Sequence, residues 1–315
     1  MIKKIVIILT FICFASSFAF AKNERIEFQS IKINGFNGKI NFHKVWGYLT
    51  TPKDYNGSVV VLSHGSGGIT SNSRRWAKFL NNNGYSTFLI DHFKPRGVSQ
   101  TLYNQESVSV FEMSFDILAA GNYLKNQKKI PNKIFHIGWS KGAIAGLISA
   151  SDSYQRKIYS DVYFSGYIEF YPLCNIWLPG GLSSSVKIIH GELDNYTPII
   201  FCKKYVKEMV TRSSNKDIID LISIPNAHHS FDNWDLQEIY LPVNSIRKYI
   251  DDCILIYNDK INSSSSLSKK FKLLNLSQYK KWIKHCSSES GVTIKGHPRV
   301  KKSTENLVLS ILKKE

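Results

Sequence analysis

Apolar runs alternate with helix-like patterns along most of the chain, from about residue 40 to about residue 250. Runs rich in β-branched and aromatic residues predict strands at 44–49, 59–63, 86–90, 133–138, 161–164, 186–190 and 220–224. Apolar positions at helical spacing predict helices at 73–83, 111–126, 140–151, 199–211 and 241–249. Short strands separated by helices are typical of βαβ units. The pattern therefore predicts an α/β fold with a mostly parallel central sheet and helices on both faces.

The composition changes after residue 250, where a serine-rich stretch at 262–268 follows the last predicted helix. Beyond it, the pattern predicts a helix at 277–285, a loop at 291–298 and a final amphipathic helix at 303–313. We expect one main domain at 22–250 and a small helical C-terminal extension at 251–315 that packs on it.

The first residues have the pattern of a secretory signal peptide. Lys3 and Lys4 precede an apolar stretch at 5–14, and Ala-Phe-Ala at 19–21 resembles a cleavage site. We expect residues 1–21 to be removed and the protein to be exported to the periplasm or secreted, without stable membrane insertion. An uncleaved N-terminal anchor is the alternative.

Composition and charge narrow the choice of partners. The 315 residues are 43% hydrophobic and 21% charged, as in an ordinary globular protein. The formal net charge is +17, but the lysines are spread along the chain and no nucleic-acid-binding motif accompanies them. We therefore expect a small-molecule substrate and no nucleic-acid partner.

Four cysteines follow the predicted signal peptide, and an even number in an oxidising compartment predicts two disulfides. Three pairings are open, and the order along the chain favours Cys174–Cys202 and Cys253–Cys286. The spacings do not match a zinc site, so we expect no metal.

The most informative motif is Gly-Trp-Ser-Lys-Gly at 138–142, which follows a predicted strand and precedes a predicted helix. A Gly-x-Ser-x-Gly turn between a strand and a helix is the nucleophile elbow of α/β hydrolases. Ser140 is therefore the candidate nucleophile.

A serine nucleophile needs a base and an acid that orients the base. Asp194 follows the strand predicted at 186–190, with Glu192 as a second candidate; a helix cap is the structural alternative for Asp194. His228 and His229 follow the last predicted strand, in the order Ser, Asp, His expected of this fold. A surface histidine without a role is the alternative for either.

The glycine-rich loop at 63–68 follows the strand predicted at 59–63. We expect its Ser66 N–H and the Lys141 N–H to form the oxyanion hole. A phosphate-binding loop is disfavoured because the stretch matches no such motif. His64, Gly65, Arg96 and Trp139 are candidate substrate-binding residues. Arg96, with Lys94, is a candidate for attracting an anionic substrate, although a solvated basic turn is an equally good interpretation.

The chain resembles the dienelactone hydrolase family of α/β hydrolases, and in particular its exported branch. The matching stretches are 63–68, 83–85, 91–97, 138–142, 170–174, 191–194 and 227–232. This resemblance implies a triad of Ser140, Asp194 and His229, in which His229 is preferred because it directly precedes Ser230-Phe231. The founding members resemble the chain in layout but use a cysteine nucleophile and a glutamate at the position of Gly65. This difference argues against dienelactone as the substrate.

Together, these features predict an exported serine hydrolase that cleaves a carboxylic ester or lactone through an acyl-enzyme and needs no cofactor. Two alternatives use the same scaffold. One is a non-catalytic binding protein, and the other is a small peptidase with the same triad.

Overall fold

The computed structural model describes residues 22–34, 39–127, 131–152, 161–246, 249–258 and 263–315. The predicted signal peptide at 1–21 lies outside the described residues. Among those described, no helix combines the length and the apolar character needed to cross a membrane.

The strands, in chain order, are β1 (Lys22–Asn34), β2 (Lys39–Thr51), β3 (Ser58–Ser63), β4 (Ser86–Asp91), β5 (Lys133–Trp139), β6 (Gly166–Phe170), β7 (Ile176–Trp177), β8 (Ser185–Gly191), β9 (Ile219–Ile224), β10 (Ile239–Leu241), β11 (Ser245–Ile246), β12 (Leu255–Tyr257), β13 (Ser264–Ser266), β14 (Lys272–Leu273), β15 (Ser287–Ser288) and β16 (Val292–Ile294). The α-helices are α1 (Ser71–Asn82), α2 (Val110–Lys125), α3 (Lys141–Ser149), α4 (Ile199–Arg212), α5 (Leu276–Cys286) and α6 (Lys301–Lys314).

The central sheet has eight strands in the order β1-β2-β4-β3-β5-β6-β8-β9. β1 pairs antiparallel with β2, and β2 antiparallel with β4, whereas all later neighbours are parallel. This is the mostly parallel sheet of an α/β-hydrolase fold, as the sequence predicts. The carboxyl ends of β3, β5, β6, β8 and β9 therefore meet at one edge, where such folds place their functional groups.

Helices cover both faces of the sheet, so a hydrophobic core lies on each face. Alternate residues of one strand point into the two cores. Val59 and Val61 of β3 face the core covered by α2, α3 and α4, whereas Val60 and Leu62 face the core covered by α1 and α6. Because Val308 of α6 is fully buried in the second core, the end of the chain helps to cover the main sheet.

Two predicted elements are wrong. Residues 161–164 form no strand, and the strand at this place in the sheet is β6, whose buried Glu169 interrupts the apolar pattern. Residues 241–249 were expected to be helical, but they include the end of β10 and all of β11, which pair with β16 and β15 of the extension. Pairing with a distant segment overrides the local helical pattern here. The loop predicted at 291–298 contains β16, which forms because β10 pairs with it. β1 was not predicted.

Both favoured disulfide pairings are present. Cys174, after β6, is bonded to Cys202 of α4, and Cys253 is bonded to Cys286 at the end of α5. The first disulfide lies within the main domain, and the second lies in the extension.

Candidate active site

Ser140 lies in a sharp turn between β5 and α3. Its backbone has φ 52° and ψ −113°, a conformation that residues other than glycine rarely adopt. Its N–H donates to the carbonyl oxygen of Phe170 at 2.9 Å, which fixes the turn against the end of β6. The strained conformation lifts the hydroxyl above the carboxyl edge of the sheet, as in a nucleophile elbow.

The two glycines of the motif are required by close contacts. A Cβ atom on Gly142 would lie 2.2 Å from the carbonyl oxygen of Ser63, at the end of β3. A Cβ atom on Gly138 would lie 2.7 Å from the backbone nitrogen of Ala143. Any larger residue would push the turn away from the neighbouring strand or from its own helix.

Ser140, His229 and Asp194 form one hydrogen-bonded chain. His229 Nε2 lies 3.0 Å from Ser140 Oγ, and His229 Nδ1 lies 2.7 Å from Asp194 Oδ2. With the proton on Nδ1, the ring donates to the carboxylate, and Nε2 can accept the serine proton. The three residues are buried, and Ser140 retains 8% exposure.

The carboxylate of Asp194 accepts several hydrogen bonds from its own loop. The N–H groups of Tyr196 and Thr197 donate to Oδ1 at 2.8 and 2.9 Å, and Thr197 Oγ1 lies 2.9 Å from Oδ2. Burial by itself would raise the pKa of Asp194, but His229, His190 and the Thr197 N–H lower it below its usual value. The acid is therefore ionised at neutral pH. Glu192 is exposed on the same loop.

The loop after β9 turns His229 inward, and the partly buried His228 does not enter the chain of hydrogen bonds with Ser140. Asn226 and Ser230 on either side have positive φ values of 55° and 67°, which give the loop its tight shape. The imidazole of His229 packs against Tyr171 and Tyr196, with ring centroids 4.5 and 4.9 Å apart. These aromatic rings restrict its rotation.

The loop after β3 lies directly beside Ser140. A Cβ atom on Gly65 would be 3.3 Å from Ser140 Cβ, so glycine allows the loop backbone to approach this serine closely. Lys141 is the first residue of α3, where the N–H groups have no partner within the helix. Gly65 and the predicted oxyanion donors Ser66 and Lys141 thus lie around Ser140.

The side chain of Lys141 donates hydrogen bonds to residues 101 and 105, which lie in the segment between β4 and α2. Its Nζ donates to the carbonyl oxygen of Gln105 at 2.6 Å and to Thr101 Oγ1 at 3.1 Å. Ser66 Oγ donates to Gln105 Oε1 at 3.0 Å, and Gln105 Nε2 donates to Tyr196 Oη at 3.3 Å. Gln105 therefore joins the loop of Ser66 to the loop of Asp194. Burial lowers the pKa of Lys141 to about 7.

The family model of the dienelactone hydrolases matches residues 45–249, which contain all of these loops. The chain belongs to the dienelactone hydrolase family. Members of this family are hydrolases with the α/β-hydrolase fold described above.

Several solved structures are similar to this dienelactone hydrolase family member. Est1E from Butyrivibrio proteoclasticus, with ferulic acid bound, is 17% identical over 59% of this chain and 88% of that chain, with a TM-score of 0.45. An esterase from Pyrococcus furiosus is 16% identical over 67% and 85%, with a TM-score of 0.48. A dienelactone hydrolase from Anabaena variabilis is 17% identical over 64% and 88%, with a TM-score of 0.45. A comparison with curated proteins found no match.

The structure places three of the predicted substrate-binding residues inside the protein. The guanidinium of Arg96 is 4% exposed and donates two hydrogen bonds to the carboxylate of Asp116 at 2.8 and 2.9 Å. Its charge is neutralised there, so it is not placed to attract an anionic substrate. His64 and Trp139 are also buried.

Both ring nitrogens of His64 contact backbone groups. Nδ1 lies 2.9 Å from the carbonyl oxygen of Gly65, and Nε2 accepts a hydrogen bond from the His92 N–H at 3.1 Å. Burial lowers its pKa to about 3, so the ring is neutral. Trp139 donates its indole N–H to Asp232 at 2.7 Å. Both buried side chains hold neighbouring loop segments in place through these hydrogen bonds, and neither is exposed to a substrate.

Asp232 is a further residue of the site that the sequence pattern did not single out. Its fully buried carboxylate accepts hydrogen bonds from Asn72, Trp76, Trp139 and Tyr171 at 2.5–2.8 Å. It thereby joins Trp139, which precedes Ser140, to Tyr171, which packs against His229. It belongs to the matching stretch 227–232, but its four donors come from three distant places in the sequence: α1, the end of β5 and the residue after β6.

Among the described residues, no group of three or more His, Cys, Asp and Glu side chains is placed to hold a metal ion.

Proposed function

We propose that the protein is a serine hydrolase that cleaves a carboxylic ester or lactone through an acyl-enzyme. The observation that supports this most strongly is the hydrogen-bonded chain from Ser140 Oγ through His229 to Asp194. The position of Ser140 in a strained elbow and the membership of a hydrolase family support the same reaction.

In the first half of this reaction, Ser140 Oγ attacks the carbonyl carbon while His229 Nε2 takes its proton. The carbonyl oxygen becomes an oxyanion that accepts hydrogen bonds from the N–H groups of Lys141 and Ser66. When the tetrahedral intermediate collapses, the bond to the leaving oxygen breaks, and His229 gives its proton to the departing alcohol. The acyl group remains on Ser140.

In the second half, water attacks the acyl carbon and His229 Nε2 accepts a proton from it. Collapse of this intermediate releases the carboxylic acid and returns the proton to Ser140. Asp194 keeps the proton of the resting imidazole on Nδ1 and stabilises the imidazolium in both halves. For a lactone, the leaving alcohol and the acid are parts of the same product.

We infer that the protein works in an oxidising compartment outside the cytoplasm. Two buried disulfides support this, because such bonds persist mainly in exported proteins. The expected signal peptide at 1–21 agrees with it. Sequencing the N terminus of protein recovered from the cell exterior or periplasm tests export, and retention of an uncleaved chain in the cytoplasm would contradict it.

The reaction is tested with a panel of nitrophenyl esters, lactones and short peptide amides. We expect the wild-type protein to hydrolyse esters or lactones and the Ser140→Ala variant to lose this activity while keeping its thermal midpoint. Equal rates for the two proteins would overturn the proposal. Faster cleavage of the peptide amides would favour a peptidase that uses the same triad.

A further inference from the structure

The C-terminal extension contacts the loop of His229 directly. Lys295 N–H donates to the carbonyl oxygen of His229 at 3.0 Å, and His297 N–H donates to the carbonyl oxygen of Phe231 at 2.8 Å. These contacts come from a segment that lies outside the family match at 45–249. We call residues 291–297 the C-terminal clasp.

The clasp also contacts the loop of the acid. Thr293 N–H donates to Asn195 Oδ1 at 2.9 Å, and Asn195 directly follows Asp194. Ile294 forms a parallel β-bridge with His229. One short segment therefore holds the loops of both the base and the acid, which are 35 residues apart in the sequence.

The clasp is itself fixed on both sides. β16, within the clasp, pairs antiparallel with β10, and β15 just before it pairs with β11. The fully buried Cys253–Cys286 disulfide closes the segment immediately before β15. After the clasp, α6 packs into the core beneath the sheet. The clasp can therefore act as a rigid support.

Gly296 shows how closely the clasp approaches the loop that follows His229. A Cβ atom at this position would lie 2.2 Å from the carbonyl oxygen of Asn233. The N–H of Gly296 donates to the carbonyl oxygen of Leu236 at 2.9 Å. Glycine is thus required for this contact, and a side chain would force the two segments apart.

We propose that the C-terminal clasp is a positioning segment of the active site, which sets the place of His229 relative to Ser140 and Asp194. This inference rests on the proposed function. The physical reason is that proton transfer from serine requires the imidazole to be held within a fraction of an ångström, and the tight loop of His229 needs an external support. Backbone N–H groups provide this support.

The direct test compares two substitutions at one position. Lys295→Pro removes the N–H that donates to His229, whereas Lys295→Ala keeps it and removes only the side-chain ion pair with Glu238 at 2.8 Å. We expect Lys295→Pro to lower kcat by roughly 10- to 100-fold with little change in KM, because the base is displaced while the binding surface is kept. Lys295→Ala should retain kcat within about twofold.

A second variant, Asn195→Ala, removes the contact on the acid side without changing the backbone, so it tests the proposal even if Lys295→Pro does not fold. We expect a smaller fall in kcat, of roughly fivefold, with a thermal midpoint within a few °C of the wild type. KM should stay nearly unchanged, because the binding surface is kept.

The outcomes separate this inference from the proposed function. A wild-type protein without hydrolase activity would overturn both. An active wild type with unchanged kcat in folded Lys295→Pro, or in Asn195→Ala when the proline variant is unfolded, would overturn the clasp alone. A loss in Lys295→Ala equal to that in Lys295→Pro would also contradict it.

Discussion

Among the described residues, two hydrogen-bonded chains each join a serine hydroxyl, an imidazole and an aspartate carboxylate, and only one of the two lies at the edge of the sheet. The candidate triad spans distances of 3.0 and 2.7 Å. In the second chain, Ser63 Oγ lies 3.0 Å from His92 Nε2, and His92 Nδ1 lies 2.8 Å from Asp116 Oδ2. Residue types and distances are nearly the same, so the surroundings must separate a nucleophile from a structural serine.

The surroundings of Ser63 leave no access for a substrate. Ser63 is fully buried within β3, and its hydroxyl is shared with a second imidazole, His136 Nε2, at 2.9 Å. Asp116 is held by the guanidinium of Arg96. Ser140, in contrast, lies in a strained turn at a helix N terminus beside a glycine-rich loop. A carbonyl group can be attacked only in the second setting.

Two further buried groups, His136 and Glu169, extend the second chain from Ser63. Burial raises the pKa of Glu169 well above its usual value and lowers the pKa of His136 well below it, so burial favours the neutral form of each group. Glu169 Oε1 lies 2.7 Å from His136 Nδ1. A protonated Glu169 can donate to His136 Nδ1, and His136 Nε2–H can then donate to Ser63 Oγ. The Ser63 hydroxyl can in turn donate to His92 Nε2. The Ser63 hydroxyl is therefore one link in a fully buried series of hydrogen bonds that a substrate cannot reach.

The largest expected difference is between the two serines. Ser140→Ala should lower kcat for ester hydrolysis by about 10⁴- to 10⁶-fold, because the nucleophile is lost. Ser63→Ala should keep kcat within about threefold and lower the thermal midpoint by roughly 5 °C, because two buried imidazoles lose a partner. Steady-state kinetics and thermal unfolding of both variants measure this difference. Comparable losses of kcat would show that the two serines do not differ as described.

Substitutions of the two aspartates should differ in the same way, with a smaller loss of kcat than for the two serines. Asp194→Asn should lower kcat by about 10⁴-fold, because the amide no longer fixes the tautomer of His229. Asp116→Asn should leave kcat of the folded protein nearly unchanged but cost about 3–5 kcal/mol of stability, because the buried Arg96 loses its anionic partner. Urea unfolding and kinetics at the same pH test the pair, and a stable but inactive Asp116→Asn variant would contradict it.

Asp232 should have an intermediate effect, since it acts on the site through Trp139 and Tyr171. We expect Asp232→Asn to lower kcat by roughly tenfold with little change in KM, because the nucleophile turn and the tyrosine against His229 lose their common anchor. Trp76→Phe removes one donor to the same carboxylate on the side of α1 and serves as the matched control. If the two variants differ only in stability, and not in kcat, Asp232 has no part in positioning the site.

The smallest effect is a pH dependence of opposite sign for two buried carboxyls. Glu169 has a raised pKa in the folded protein, so its stabilising contribution is complete below pH 4.5 and is lost as the pH rises. Asp194 has a lowered pKa, so its contribution is complete above about pH 3.8 and is lost as the pH falls.

The direction of each pH dependence can be measured from the free energy of unfolding of wild type and variants between pH 3 and 8. The stability of wild type minus that of Glu169→Gln should fall with rising pH, by up to about 1.4 kcal/mol per pH unit. The difference between wild type and Asp194→Asn should fall with decreasing pH. A pH-independent difference for Glu169→Gln would mean that Glu169 is ionised in the folded protein.

The main sheet and the elbow could be predicted from the sequence because their signals are local. Strand β5, the residues 138–142 and helix α3 follow each other directly, and the strands before Asp194 and His229 are apolar runs. The loop shape that turns His229 and not His228 toward Ser140 involves positive φ values at Asn226 and Ser230, and the pattern contains no clear sign of these.

The remaining features depend on partners far away in the sequence. From the sequence alone, Arg96 is expected at the surface, because its partner Asp116 lies 20 residues away in α2. The pattern of β6 is interrupted by Glu169, which is buried there beside its hydrogen-bond partner His136. The contacts of the clasp come from backbone N–H groups, which every residue except proline has. Side-chain patterns therefore could not predict them.

The most direct test of the central claim is to treat the folded protein with a fluorophosphonate and to map the modified peptide by mass spectrometry. One adduct on Ser140, absent from Ser140→Ala and Asp194→Asn but present in Ser63→Ala, is the predicted result. Equal labelling of wild type and Ser140→Ala, or an adduct on any other serine, would contradict the account.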